Sequence, residues 1–223
     1  MLLASMALIT SLVVGGVALA AVVEGTNSGE TLNGTNNPDL IKAFGGNDTL
    51  NAKDAADVLR GGSGLDFLHG ENGSDTYYGG SGRDVLTERN GDSPLPVTGE
   101  GYTGKDVMFG EGGPDWMEGA RNDDELHGGP NSGEGEIVYH EILSGNTGDD
   151  DLYGEDGHDW LQGEQGSDLM RGGAGDDFID AAIHETAGTP DTVKCGSGFD
   201  TVIADANDIV ADEASCENVG PPA

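Results

Sequence analysis

Residues 61–87 read GGSGLDFLH (61–69), GENGSDTYY (70–78) and GGSGRDVLT (79–87), three units of nine with an Asp at the sixth place and an apolar residue at the eighth. The same beat runs through Asp39, Asp48, Asp57, Asp66, Asp75 and Asp84, followed two residues later by Ile41, Leu50, Leu59, Leu68, Tyr77 and Leu86. Glu30 with Leu32 extends it one step earlier. It restarts at Asp106, Asp115 and Asp124 and again at Asp150, Asp159, Asp168 and Asp177, and it closes with Asp191 and Asp200. A fixed period of this kind signals a stacked repeat, so the fold is read from the repeat rather than from local propensity.

Glycine keeps the same time. It stands five residues before the acid in twelve of these sixteen repeats and two before it in eleven, which predicts a turn needing positive φ and close backbone approach. The last three residues of each unit, such as Phe67-Leu68-His69, are too few for a helix. They predict a short strand with its middle residue turned inward.

These units resemble the glycine-rich nonapeptide G-G-x-G-x-D-x-U-x of the repeats-in-toxin (RTX) calcium-binding proteins, over residues 25–203. The resemblance implies an all-β fold, a right-handed parallel β-roll with two nonamers per turn, strands in two sheets and calcium bound between successive turns on each edge. It implies carboxylate ligands at Asp48, Asp57, Asp66, Asp75, Asp84, Asp106, Asp115, Asp124, Asp150, Asp159, Asp168, Asp177 and Asp200. Backbone carbonyls would come from the turns at Gly61, Gly70, Gly79, Gly110, Gly154, Gly163 and Gly172. The chain departs from the pattern at 52–60, AKDAADVLR, which has no glycine, at 34–42, with Asn and Pro in the turn, and at Glu30.

Elementary coordination chemistry points the same way. Calcium takes six to eight oxygens from carboxylates and carbonyls. A glycine turn bares its carbonyls, the following Asp adds a carboxylate, and two turns stacked about 4.8 Å apart can enclose one ion. Thiolate and imidazole are nearly absent from the repeats, which argues against zinc or copper. The chain has 42 acidic and 9 basic residues, a net charge of −33 over 223 residues, so its metal-free form should repel itself when compact. Roughly ten Ca²⁺ would offset much of that charge. The same balance leaves no basic footprint for nucleic acid.

Residues 1–20, MLLASMALITSLVVGGVALA, are uncharged and apolar and end in small residues. They predict a signal peptide cleaved near Ala20/Ala21 and a secreted, extracellular protein; an uncleaved membrane anchor is the alternative. Cys195 and Cys216 are the only cysteines, and an exported monomer allows them to pair. A disulfide there would close a small C-terminal cap over 186–223, overlapping the last repeats, although two free or ligand cysteines remain the other reading.

Two stretches break the beat, 88–103 and 128–144, and predict surface loops bulging from the roll. His140-Glu141-Ile142-Leu143-Ser144 begins like a zincin helix but ends in Ser where the second His is needed. There is no nucleophile elbow, and the chain is expected not to be an enzyme. His69, His127 and His158 are expected to be solvated, and Trp116 and Trp160 to serve packing. Two further roles stay open, a surface adhesin or surface-layer component with cell-surface or polysaccharide contact, and a non-catalytic module related to those of secreted hydrolases.

Overall fold

The computed structural model describes residues 8–10, 21–87, 104–130, 141–182, 189–211 and 215–220. All regular structure within them is strand. From Val22–Glu24 onward, successive strands alternate between two sheets. The first holds, in spatial order, Leu8–Thr10, Val22–Glu24, Leu40–Gly45, Val58–Ser63, Thr76–Ser81, Val107–Gly112, Glu125–Pro130, Asp151–Asp156, Leu169–Ala174, Thr192–Ser197 and Ile209–Val210. The second holds Thr31–Asn33, Thr49–Asp54, Phe67–Asn72, Val85–Thr87, Trp116–Arg121, Ile142–Thr147, Trp160–Gln165, Phe178–Asp180, Asp200–Ile203 and Cys216–Gly220. Every pairing is parallel except that of Leu8–Thr10 with Val22–Glu24, which is antiparallel. This is a parallel β-roll, one coil per two nonamers.

The eighth position explains the register. Ile41, Leu59, Tyr77, Met108, Leu126, Leu152 and Met170 pair in line up the first sheet. Leu50, Leu68, Leu86, Met117, Leu143 and Leu161 do the same in the second. All are 0% exposed and belong to one core cluster. Each contributes about 1.5–3 kcal/mol by leaving water. A one-residue slip would turn both rows outward, so the apolar row sets the pairing.

The strands are longer than their three apolar residues predict. Val58–Ser63 runs on through the first three positions of the next unit, with Gly62 paired to Gly80 and Ser63 to Ser81. Gly-Gly-Ser has little strand preference of its own; the neighbouring coil supplies the pairing.

Residues 88–103 lie outside the described residues, but the beat resumes without losing a coil, since Thr76–Ser81 pairs directly with Val107–Gly112. The second break is shorter than its sequence suggests. Residues 128–130 end the strand Glu125–Pro130 and residues 142–144 open Ile142–Thr147, so both ends of the loop predicted over 128–144 are strand, and 131–140 lie outside the described residues. Toward the C-terminus, Thr192–Ser197 and Ile209–Val210 extend the first sheet while Asp200–Ile203 and Cys216–Gly220 extend the second. The signal-peptide residues lie almost wholly outside the described residues.

Candidate calcium-binding edges

The turns joining the sheets use three kinds of restricted position. At the fourth, Gly64, Gly82 and Gly175 hold φ of 138°, 133° and 136°, and a Cβ on Gly64 would run into the Gly46 carbonyl of the preceding coil. At the second, φ is again left-handed, at Gly62 (109°) but also at Glu71 (71°), Glu111 (72°), Glu155 (75°) and Glu164 (72°). The first-position glycine does not need positive φ, contrary to the expectation from sequence. It is small because the acid of its own unit turns back against it: a Cβ on Gly61 would lie 2.5 Å from Asp66 Oδ2 and 2.6 Å from the Gly79 carbonyl oxygen. Gly70, Gly79, Gly110, Gly154, Gly163 and Gly172 face Asp75, Asp84, Asp115, Asp159, Asp168 and Asp177 in the same way.

The acids form two ladders, one along each edge. The amide of Asp39 donates to Asp57 Oδ1 at 2.6 Å, and Asp57 to Asp75 Oδ1 at 2.7 Å. Asp106 then donates to Asp124 (2.8 Å), Asp124 to Asp150 (2.7 Å) and Asp150 to Asp168 (2.8 Å). On the other edge Asp48 donates to Asp66 (2.9 Å), Asp66 to Asp84 (2.9 Å), Asp84 to Asp115 (2.7 Å), Asp159 to Asp177 (2.9 Å) and Asp177 to Asp200 (2.9 Å). Each accepting carboxyl thereby spends one oxygen on the coil below.

The second oxygen is the informative one. Oδ2 of Asp48, Asp57, Asp66, Asp75, Asp84, Asp115, Asp124, Asp150 and Asp177 is buried with no hydrogen-bond partner. An ionised carboxylate in that setting carries a large desolvation cost. Burial accordingly pushes Asp75, Asp84 and Asp150 up to about 7, Asp57, Asp115 and Asp177 to about 8 and Asp124 to about 9. The amide bond from the preceding coil works against this and neighbouring acids add to it. Asp48 and Asp66 are raised as well, again chiefly by burial.

Acids at the ends of the roll behave differently. Glu30 accepts from its own turn, from the Thr26 amide and hydroxyl, both at 2.7 Å. Asp39 Oδ2 accepts from the Thr35 amide at 2.5 Å, and Asp208 Oδ2 from the Asp205 amide at 2.5 Å. The turns around Glu30 and Asp39 are those that departed from the pattern. Asp57 does not share their fate: its glycine-free unit keeps the same turn, with Lys53 and Ala55 strained at φ 91° and 96°, and its carboxyl sits on the ladder.

Three acids join the sites singled out from sequence. Asp191 is fully buried and its Oδ1 accepts from Asp168 at 2.7 Å. Asp208 lies only eight residues after Asp200, so a strict nonamer count passes over it; its Oδ1 accepts from Asp191 at 3.1 Å. Glu141 occupies the buried sixth position before Leu143, immediately ahead of the strand Ile142–Thr147 and not on the helical turn a zincin motif would need. Its unit has no glycine at either signal position, and only its Leu143 at plus two could have marked it.

Oxygen is the donor on offer along each edge. Carbonyls at the second and fourth positions lie against the α-carbons of the same positions one coil on, as Phe44 under Gly62 and Gly46 under Gly64. Among the described residues no three His, Cys, Asp or Glu side chains converge on one point. A cation here must therefore draw most of its oxygens from the backbone, with Asp Oδ2 supplying charge. That fits calcium, which tolerates irregular oxygen shells, and not the nitrogen and sulfur preference of zinc.

Other side chains correct the sequence reading. His69 is buried. His127 is stacked between Phe109 and Tyr153 and bonded to Glu125 (2.9 Å) and Glu155 (3.1 Å), while His158 meets the Asp176 backbone. Trp116 and Trp160 are not packed inside but stand 44% and 41% exposed. Cys195 and Cys216 form a disulfide linking Thr192–Ser197, next to last in the first sheet, to Cys216–Gly220, the last strand of the second, with Cys195 at the first position, where a side chain enters the core.

A comparison with curated proteins finds no significant match. The RTX calcium-binding nonapeptide repeat matches in four copies, over residues 24–59, 52–86, 100–132 and 141–181, the same stretches that build the coils and carry the acid ladders. With most of its length accounted for in this way, the chain belongs to the RTX calcium-binding nonapeptide repeat family.

Proposed function

We propose that this calcium-binding repeat protein works outside the cell as a non-catalytic, monomeric scaffold whose roll folds when several Ca²⁺ ions load its two edges. The observation that carries the reading is the row of buried, unpartnered Asp Oδ2 atoms facing a glycine-lined turn in coil after coil. Asp48, Asp57, Asp66, Asp75, Asp84, Asp115, Asp124, Asp150 and Asp177 would supply charge, joined by Asp106, Asp159, Asp168 and Asp200 on the same ladders. Turn carbonyls would complete each shell. The bound ion supplies positive charge where the coil has buried only negative charge, and so removes the cost of ionising these carboxyls.

The apolar, uncharged residues 1–20 support export by a signal peptide removed near Ala20/Ala21. Among the described residues no helix is long and apolar enough to cross a membrane. Equilibrium dialysis of the mature chain tests the reading. It should take up on the order of ten Ca²⁺ per molecule, with Mg²⁺ competing poorly because it gives up its waters reluctantly. Uptake of one or two ions, or equal uptake of Mg²⁺, would overturn it. Recovery of exported protein beginning at Met1 rather than near Ala21 would count against cleavage.

A further inference from the structure

We propose that the outer face of the second sheet is a platform for a neutral, extended β-1,4-linked polysaccharide. The seventh position of each unit points outward. In the second sheet it forms the in-register row Phe67, Val85, Trp116, Ile142, Trp160, Phe178. Phe67, Trp116 and Trp160 are 41%, 44% and 41% exposed and fall on alternate strands. Aliphatic Val85 and Ile142 fill the strands between them.

That alternation separates this row from the aromatic row on the other sheet. There, Tyr78, Phe109, His127 and Tyr153 lie on successive strands and stack face to face, with centroids 5.3, 4.9 and 4.6 Å apart and Arg60 and Arg171 over the outer rings. Those faces are occupied. On the second sheet Val85 and Ile142 separate Trp116 from the rings of the neighbouring strands, and among the described residues Trp160 meets the edge of Phe178, with the planes at 75°.

Strands lie 4.7–4.9 Å apart, so rings on alternate strands recur about every 9.5 Å. In an extended β-1,4-linked chain each sugar is turned over relative to the last. The same apolar pyranose face therefore returns every second sugar, at a spacing close to that of Phe67, Trp116 and Trp160. Glu118, Gln162 and Asp180 lie alongside, two residues further on, as planar acceptors for sugar hydroxyls. A net charge of −33 disfavours a polyanionic ligand. The same net charge opposes a second copy of this chain. The platform requires only that the roll be folded, whatever calcium does for the cell.

Trp116 and Trp160 are the only two tryptophans of the chain, so their fluorescence reports this face alone. The calcium-loaded mature protein is titrated with cellohexaose, chitohexaose and, for an α-1,4 chain of the same length, maltohexaose. Circular dichroism confirms the fold, and sedimentation velocity follows self-association. A saturable emission change with a β-1,4 hexaose and none with maltohexaose is expected. Trp160→Ala and Phe67→Ala should each weaken binding at least about tenfold, as loss of an aromatic anchor does, whereas Phe109→Ala on the other sheet should not change it. The proposal is overturned by no response to either β-1,4 hexaose, by equal response to maltohexaose, by unchanged affinity in whichever row variant folds, or by self-association through this face that the hexaoses do not compete with.

Discussion

The amide of Asp57 donates to Oδ1 of Asp75, eighteen residues later and one coil on, at 2.7 Å, while Oδ2 of Asp75 stays buried without a partner. One carboxyl thus does two jobs. Oδ1 keeps the register of the edge, and Oδ2 is left for a cation.

Asp75→Asn separates those jobs. The amide oxygen can still accept from Asp57, but the charge is gone. Losing one member of a buried charged contact costs roughly 3–5 kcal/mol, and in a stack of coils the damage should stay close to the altered one. The variant should bind about one ion fewer and need more calcium to fold. Asp54→Asn is the control, since Asp54 is exposed, off the acid ladders, and its Oδ1 accepts from Asn72 at 3.0 Å. Titrating both side by side checks the assignment; equal midpoints would show that the sixth position is not a ligand.

Calcium should displace protons. In the metal-free coil burial raises seven of the ladder carboxyls from 3.8 to about 7–9. Between about pH 4 and those values the compact chain holds protons that the unfolded chain has lost. Its metal-free stability therefore falls as pH rises through that window, and acid favours compaction. Calcium loading should therefore release protons in acid, at about pH 5, where the metal-free chain is compact and protonated, and very few at neutral pH, where that chain is unfolded and its carboxyls are already ionised. Calorimetry in buffers of different ionisation enthalpy reads this directly. Strong release at neutral pH would mean that the metal-free chain is already compact there, with its carboxyls protonated.

The disulfide joins the two sheets where the roll ends. Cys195 and Cys216 are 21 residues apart, and closing a loop of that size is worth about 3 kcal/mol in the chain-entropy picture. Cys195→Ala with Cys216→Ala should lower stability by about that amount. Amide exchange should speed up first in Thr192–Ser197 and Cys216–Gly220. Uniform loss of protection along the whole roll would contradict a local role.

The period of the acids and their apolar partners was enough to read a stacked repeat of short strands, because position eight must turn inward and a one-residue slip would expose the whole row; the two-sheet roll came from the resemblance that those units carry. The strand lengths were not legible, since Gly62 and Ser63 become strand only through pairing with Gly80 and Ser81. Glu141 was missed for want of glycines, and its place follows from the alternation of strands instead. The division of labour within one carboxyl, and the self-satisfied acids Glu30 and Asp39, depend on which amides the turns present. Spacing carries no record of that. The exposure of Trp116 and Trp160 does follow from the period, as residues beside the inward position must face out, but their place in the strand triplets suggested packing over a sugar-stacking platform.

Far-ultraviolet circular dichroism of the mature protein during a calcium titration from excess chelator tests the central claim most directly. Nine residues must be ordered for each buried apolar side chain, at about 1.5 kcal/mol apiece, and the carboxyl ladders add the cost of buried charge. At neutral pH the chelated chain should give a disordered spectrum and gain its β signal cooperatively as Ca²⁺ approaches millimolar. A full β spectrum in chelator, unchanged by calcium, would contradict the account.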